Sequence, residues 1–514
     1  MDEFYFYARY QKGKVETRGR HHNFLGHRVD HTPGRKSDGI FVEWSWDGNT
    51  LSVENDRYGM YPLYYYTKNG EICVSPSITR VLAEGAPNDL DYRALSVFLR
   101  IGFFIGDDTP FKAIRAVPPN AVFQWTNGKL EVSGKFDCGG SHKEIPYDDA
   151  LDRHIALFRQ SIKRRLPTDE NFAVPISGGR DSRQILFVLN ELGYTPKSCM
   201  TSRLFPPQNH EDIDIAKIIT KRLNIEHFIL DQKDAFFNTE MKRNVVTNFC
   251  SDELQESFGC ADYYRGKTNV LYDGLAGAVV SAGFFVNEHK VNLLKAGKLR
   301  ELSDEIIKGW NNDCFSEDVF KSLFRDEYQK LMGREEVIEY ITSELKRHMH
   351  TPNPLMQFVL WNRTRREITL SPNAILGNIK TVYSPYLDHD LYDFLSALDP
   401  KYFLDRMFHT RAILRAYPKF NDIRFEDKSI PGQDPRGYRN EFVGKLLVHI
   451  IKEMKSAGKY TRIGYMMPRL LQYLVKGNNW WVCPPKMLYL IQLEKTRVMK
   501  KDKMIQYKSE LINK

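Results

Sequence analysis

The chain has 514 residues, 42% of them hydrophobic and 27% charged, with a mean hydropathy of −0.47; it is too long for one hydrophobic core and too apolar for a disordered or collagen-like protein. Its 74 basic and 65 acidic residues leave a dispersed net charge of +9, which excludes a basic nucleic-acid-binding arm. Seven cysteines, odd in number and without a CxxC spacing, argue against a zinc site and a disulfide framework.

Even the densest basic stretch, Lys495 to Lys508, is interleaved with Met499, Met504 and Ile505 as a solvated helix face would be. Met1-Asp2-Glu3-Phe4 lacks a signal-peptide pattern, and the most apolar segment, Gly274 to Val286, is too short to span a bilayer. The expectation is a cytoplasmic protein with no nucleic-acid partner and no membrane span, self-association being left open.

Up to Trp125 the pattern predicts strands and hairpins, among them Gly39–Trp46, a turn at Asp47-Gly48-Asn49, and Leu51–Glu54. Val122 to Val132, broken by Asn127-Gly128, reads as a further hairpin, and Gly134 to Glu144 has the composition of a linker. From Asp148 the period changes to that of a helix, with Ala150, His154, Ile155, Phe158, Ile162 and Leu166 on one face. The short apolar strand Phe172–Ile176 follows, then a helix through Leu192 stopped by Gly193, and then the strand Ser198–Ser202. Strand, helix, strand is a parallel α/β unit, and Asn269–Tyr272 runs into a glycine-rich loop as another strand of the same sheet would. The expected organisation is a β-rich domain over 1–133, a linker over 134–147, an α/β domain over 148–435 and a helical extension over 436–514. In fold class this is α/β, a parallel sheet with helices preceded by a smaller antiparallel β-rich domain.

Ser177-Gly178-Gly179-Arg180-Asp181-Ser182 lies between a buried strand and an amphipathic helix. Small residues there let backbone N–H groups approach an anion, and the helix N-terminus favours phosphate. Asp181 repels phosphate unless a divalent cation lies between them, so the loop points to ATP with Mg2+. No Gly-Lys-Ser/Thr follows, which excludes a Walker A loop.

Ser-Gly-Gly-x-Asp-Ser is the pattern of the ATP pyrophosphatases, and other blocks extend the resemblance. Asp56-Arg57-Tyr58-Gly59-Met60-Tyr61-Pro62-Leu63-Tyr64-Tyr65, Thr109-Pro110-Phe111, Val117-Pro118-Pro119, Pro385-Tyr386-Leu387-Asp388 and His409-Thr410-Arg411 with Leu414-Arg415 stand in order. Together they resemble the asparagine synthetase and β-lactam synthetase-like amide ligases. That resemblance implies that a small-molecule carboxylate attacks ATP to give an acyl-adenylate and pyrophosphate, after which an amine or ammonia displaces AMP. It further implies ATP and pyrophosphate contacts from Ile176, Ser177, Gly178, Gly179, Asp181, Ser182, Thr201, Gly274 and Gly277. Asp181 would be the metal ligand and Lys428 the catalytic lysine.

Two departures limit the resemblance. Asp2 stands where the glutamine-dependent members carry a nucleophilic cysteine, and some 37 residues before the Gly39 strand are too few for their glutamine-binding loops; the expectation is a degenerate glutaminase domain. In Asp273-Gly274-Leu275-Ala276-Gly277-Ala278-Val279, Leu275 and Ala278 occupy the positions of the family's general-base glutamate and metal-binding aspartate. Two readings therefore stay open: a glutamine-independent ligase, and a lapsed catalyst that binds nucleotide or acts as a scaffold. His210-Glu211-Asp212-x-Asp214 reads as the acidic start of a helix, and Arg363-x-Arg365-Arg366 as an anion anchor or an ion-paired structural cluster. Asp262 and Asp273 are the further acids expected near the phosphates, and Trp480-Trp481 a packed corner.

Overall fold

The computed structural model describes residues 3–29, 37–203, 205–207, 210–232, 236–310, 316–426, 436–476 and 483–513. The first ten strands are β1 (Phe6–Gln11), β2 (Lys14–Gly19), β3 (His22–Val29), β4 (Asp38–Trp46), β5 (Thr50–Asn55), β6 (Tyr64–Lys68), β7 (Glu71–Ser75), β8 (Arg115–Ala116), β9 (Val122–Thr126) and β10 (Lys129–Ser133). They form two five-stranded antiparallel sheets, ordered β2-β1-β7-β6-β8 and β10-β9-β5-β4-β3. The expected hairpin at Asn127-Gly128 is present. Thr126 pairs with Lys129 across a two-residue loop whose residues have φ of 49° and 81°, the left-handed pair that a twisted hairpin requires.

Alternation along the strands aims Phe6, Ala8, Ile72 and Val74 of one sheet at Val42, Trp44, Leu51, Val53 and Phe123 of the other, within one buried core. The opposite face of the first sheet, through Tyr7, Tyr64, Tyr66 and Cys73, is covered by two helices, α1 (Ile78–Ala83) and α2 (Tyr92–Ile101). The strand-and-hairpin reading up to Trp125 omits these helices. Their signals are local: Ser77 and Asp91 cap the first turns with their side chains, and Gly102 closes α2 in the left-handed conformation.

After α3 (Tyr147–Lys163) come β11 (Phe172–Pro175), α4 (Asp181–Glu191), β12 (Ser198–Arg203), α5 (Glu211–Arg222), β13 (Glu226–Asp231), α6 (Phe236–Val246), α7 (Ser257–Tyr264), β14 (Val270–Tyr272), α8 (Gly277–Val280) and β15 (Thr381–Tyr383). The five strands form a parallel sheet in the order β13-β12-β11-β14-β15. The chain winds outward from β11 through β12 to β13, then returns to the other side of β11 as β14. This places a topological switch between β11 and β14, the position at which open α/β sheets hold ligands beyond their strand ends. The rest is mostly helical, and no helix among the described residues is long and apolar enough to cross a membrane.

Buried ion pairs join the antiparallel sheets to the parallel one. Arg165, just past α3, stands 2.8 Å from both Asp38 on β4 and Asp388, and all three are almost wholly buried. Burial alone would raise the Asp38 pKa, but Arg165 and His389 outweigh it and hold the carboxyl below its ordinary range. Arg57 reaches Asp393 at 2.5 Å, and Thr369 donates to the Met60 carbonyl at 2.7 Å. Arg165→Met would leave the buried Asp38 without its guanidinium partner and Asp388 with Arg164 alone. We expect a stability loss of about 3–5 kcal/mol, read from urea denaturation at neutral pH. The loss should shrink on acidification, as the depressed Asp38 carboxyl reaches its protonation range.

Candidate functional site

β11 delivers its chain into the loop with the take-off fixed. The Ile176 N–H donates to Met200 O at 2.8 Å, and the Ile176 carbonyl accepts the Thr201 hydroxyl at 2.7 Å, itself 2.9 Å from His227 Nε2. Ser182 Oγ accepts the Ser177 N–H at 3.2 Å and lies 3.3 Å from Ser177 Oγ, which takes the Gly179 N–H at 3.2 Å. Gly178 donates to Asp212 Oδ1 at 2.5 Å. Asp212 does lie in the first turn of α5, as expected of a helix-start acid, but it also occupies a loop donor expected to face phosphate. Arg183, buried beneath the turn, donates to the carbonyls of Gly178, Ile423 and Arg424 at 2.8–3.1 Å and closes the loop from below.

The loop after β14 meets this turn at the switch point. A Cβ on Gly274 would lie 2.7 Å from Asp181 Cβ, and one on Gly277 would lie 2.6–2.8 Å from the Asp181 carboxyl atoms. Only glycine therefore lets the two loops close around the first residue of α4. The structure thus brings together Ser177, Gly178, Gly179, Asp181, Ser182, Gly274 and Gly277, with Ile176 and Thr201 directly behind. Ala278 is exposed and Leu275 is buried, and neither side chain carries an oxygen that could ligate a metal. Asp262 is held in ion pairs with Arg265 at 2.9 Å and Lys242 at 3.8 Å. Lys428 and Trp480-Trp481 lie outside the described residues.

Residues 30–136 match the family model of the glutamine amidotransferase domain, and residues 155–253 that of asparagine synthase. These two matches make the chain similar to the asparagine synthetases. It is similar to asparagine synthetase [glutamine-hydrolyzing] 1 of Bacillus subtilis (strain 168), at 22% identity over 70% of this chain and 61% of that protein. It also resembles asparagine synthetase [glutamine-hydrolyzing] 3 of the same organism, at 26% identity over 30% of this chain and 25% of that one. Amidase chyE of Penicillium rubens is 27% identical over 30% of this chain and 23% of its own length. The chain therefore spans about three-fifths of the first relative and about a quarter of the other two.

Beneath Asp181 lies a polar cluster that sequence reasoning did not single out, although His409 and Tyr386 belong to the blocks that carry the resemblance. Gln184 Oε1 accepts from His409 Nε2 at 2.7 Å and from the Tyr386 hydroxyl at 3.0 Å, while Gln184 Nε2 lies 3.3 Å from His154 Nε2. Tyr386 also donates to the Asp181 carbonyl at 3.2 Å, and His409 Nδ1 stands 3.4 Å from Asp181 Oδ1. Burial lowers the pKa of both imidazoles, that of His154 to about 4, and the neighbouring His154 and Arg180 lower that of His409 further. With both imidazoles neutral, the carboxylates beside the loop are those of Asp181 and Asp212. Arg180 donates to Thr410 Oγ1 at 2.6 Å, next along the helix Phe408–Ala416.

The Arg363-x-Arg365-Arg366 cluster is spent on structure. Arg363 grips both oxygens of Glu253 at 2.8 Å, Arg365 reaches Asp107 at 2.6 Å, and Arg366 donates to the Asp108 carbonyl at 2.5 Å. The convergent acids Asp252, Glu253 and Glu367 are matched by Arg363 and by Lys486, which lies 3.5 Å from Asp252.

Gly277→Ala should displace the Asp181 carboxyl, destabilising the fold by about 1–3 kcal/mol and weakening binding of a fluorescent ATP analogue, both measurable on the purified chain. Asp273 gives a pH signature. Burial raises its carboxyl to about 6 against a bond from the Leu275 N–H, so the fold binds this proton more tightly than the unfolded chain does. Its stabilising contribution is complete below about pH 4 and lost as pH rises through about 6. Asp273→Asn keeps the acceptor and removes the charge. It should stabilise the protein by about 1–3 kcal/mol at pH 8 and by little at pH 4, measured as the difference between denaturation curves.

Proposed function

We propose that this chain is an ATP-dependent, AMP- and pyrophosphate-forming ligase that adenylates a small-molecule carboxylate and joins it to ammonia or a small amine without hydrolysing glutamine. The observation that carries the reading is the closure of Gly274 and Gly277 on Asp181, which assembles two strand-end loops, two serine hydroxyls and one carboxylate at the switch point. On this reading residues 148–435 are the ligase domain. Residues 1–133 then act as a docked, inactive amidotransferase-like domain joined through 134–147.

A carboxylate oxygen of the substrate would form a bond to the α-phosphorus as the bond to the β-phosphate oxygen breaks, and pyrophosphate would leave. Ser177, Ser182 and the Gly179 N–H, released from Ser177, would hold the departing charge, with Gly178 joining them if phosphate displaces Asp212. Mg2+ held at Asp181 would neutralise part of that charge. Lys428 is proposed for the same task on the resemblance alone. The amine nitrogen would then attack the acyl carbon, AMP would leave, and the nitrogen would lose a proton.

Independence from glutamine is supported by Cys73, the one cysteine within residues 1–133. It is sealed inside β7, and burial pushes its thiol well above the range of a nucleophile.

Ala278 and Leu275 favour the second reading, a nucleotide-binding scaffold that has lost turnover. Exchange of labelled pyrophosphate into ATP across a panel of amino and sugar acids separates the two. A ligase shows substrate-dependent exchange that Asp181→Ala lowers about 10²–10³-fold. A lapsed enzyme shows none until Ala278→Asp is introduced. Ammonia released from glutamine would refute the glutamine-independent form.

A further inference from the structure

His409 Nδ1 and Asp181 Oδ1 face each other at 3.4 Å. His409 is wholly buried, and its Nε2 is already engaged by Gln184 Oε1 at 2.7 Å. That amide turns its nitrogen toward His154 Nε2, leaving its oxygen for His409 and Tyr386. The hydrogen-bond network therefore assigns the ring proton of His409 to Nε2 and a lone pair to Nδ1. Among the described residues Nδ1 has no hydrogen-bond partner, although Asp181 Oδ1 lies 3.4 Å away. A buried lone pair beside a carboxylate oxygen is unfavourable unless a cation joins them. Two ligand atoms at about 2.1 Å from an octahedral ion stand about 3 Å apart when adjacent, close to the separation observed.

We propose that His409 Nδ1 and Asp181 together hold the divalent cation of this site, the imidazole supplying the protein ligand that the methyl group of Ala278 cannot. The inference rests on the nucleotide reading of the Ser177–Ser182 loop and names a ligand set for it. An oxygen-only site suits Mg2+, whereas one nitrogen ligand shifts preference toward Mn2+ and Co2+. His409 acts here by ligation, with Gln184 and Tyr386 orienting its ring from behind.

The test uses the whole chain with Mn2+ and α,β-methylene ATP, read by pulsed electron paramagnetic resonance. Nitrogen modulation of the Mn2+ echo is expected, changing to the 15N pattern when the protein is made with 15N-histidine, which distinguishes the imidazole from the adenine ring. His409→Gln should abolish it and weaken Mn2+ binding about tenfold or more. The wild-type spectrum decides even where that variant folds poorly. Bound Mn2+ with oxygen ligands alone overturns the His409 assignment and leaves the nucleotide reading standing, as does nucleotide binding without Mn2+. Failure of a fluorescent ATP analogue to bind, with or without metal, overturns both.

Discussion

A carboxylate stands where a helix N-terminus would otherwise offer bare N–H groups to an anion. Asp181 is the first residue of α4, and the surrounding architecture answers to it: Gly274 and Gly277 lack side chains because any Cβ would strike it. The dipole of α4 favours that negative charge by less than about 1 kcal/mol, yet the same charge opposes phosphate in the same turn. A cation is the arrangement that lets carboxylate and phosphate share the site. On this view His409 and the loop serines address one electrostatic conflict from opposite sides.

The loop satisfies itself in the absence of ligand. Gly178 gives its N–H to Asp212, Gly179 gives its own to Ser177, and Ser177 gives its own to Ser182. With these three donors occupied, nucleotide binding on the proposed reading exchanges hydrogen bonds rather than creating them. Affinity then depends on the charge-assisted bonds being stronger than those replaced. Asp212 is the group whose displacement matters most, because it is anionic and would confront phosphate directly.

The antiparallel sheets are fastened to the strip of chain that carries the site. Arg165 joins Asp38 to Asp388, and Asp388 lies two residues beyond Tyr386, whose hydroxyl donates to the Asp181 carbonyl. Arg165 also ends the α3 connection that feeds β11 and its loop. The N-terminal sheets thereby brace the loop through buried charge.

Local chemistry is what the sequence by itself determined: the 2-residue and 3.6-residue periods, the Asn127-Gly128 turn, the strand-loop-helix setting of Ser177–Ser182, and the absence of a side-chain oxygen at Leu275 and Ala278. Each depends on residues adjacent along the chain. Helices α1 and α2 were also written locally, in Ser77, Asp91 and Gly102, but lay within a stretch dominated by strand periodicity. Only the tertiary structure decided that β14 returns beside β11, that Gly274 and Gly277 close on Asp181, that Asp212 takes the Gly178 N–H, and that His409 faces the carboxylate from a helix 228 residues further on. These pairings depend on which strands become neighbours, which follows from burial of both faces of the parallel sheet and leaves no signature at any single position.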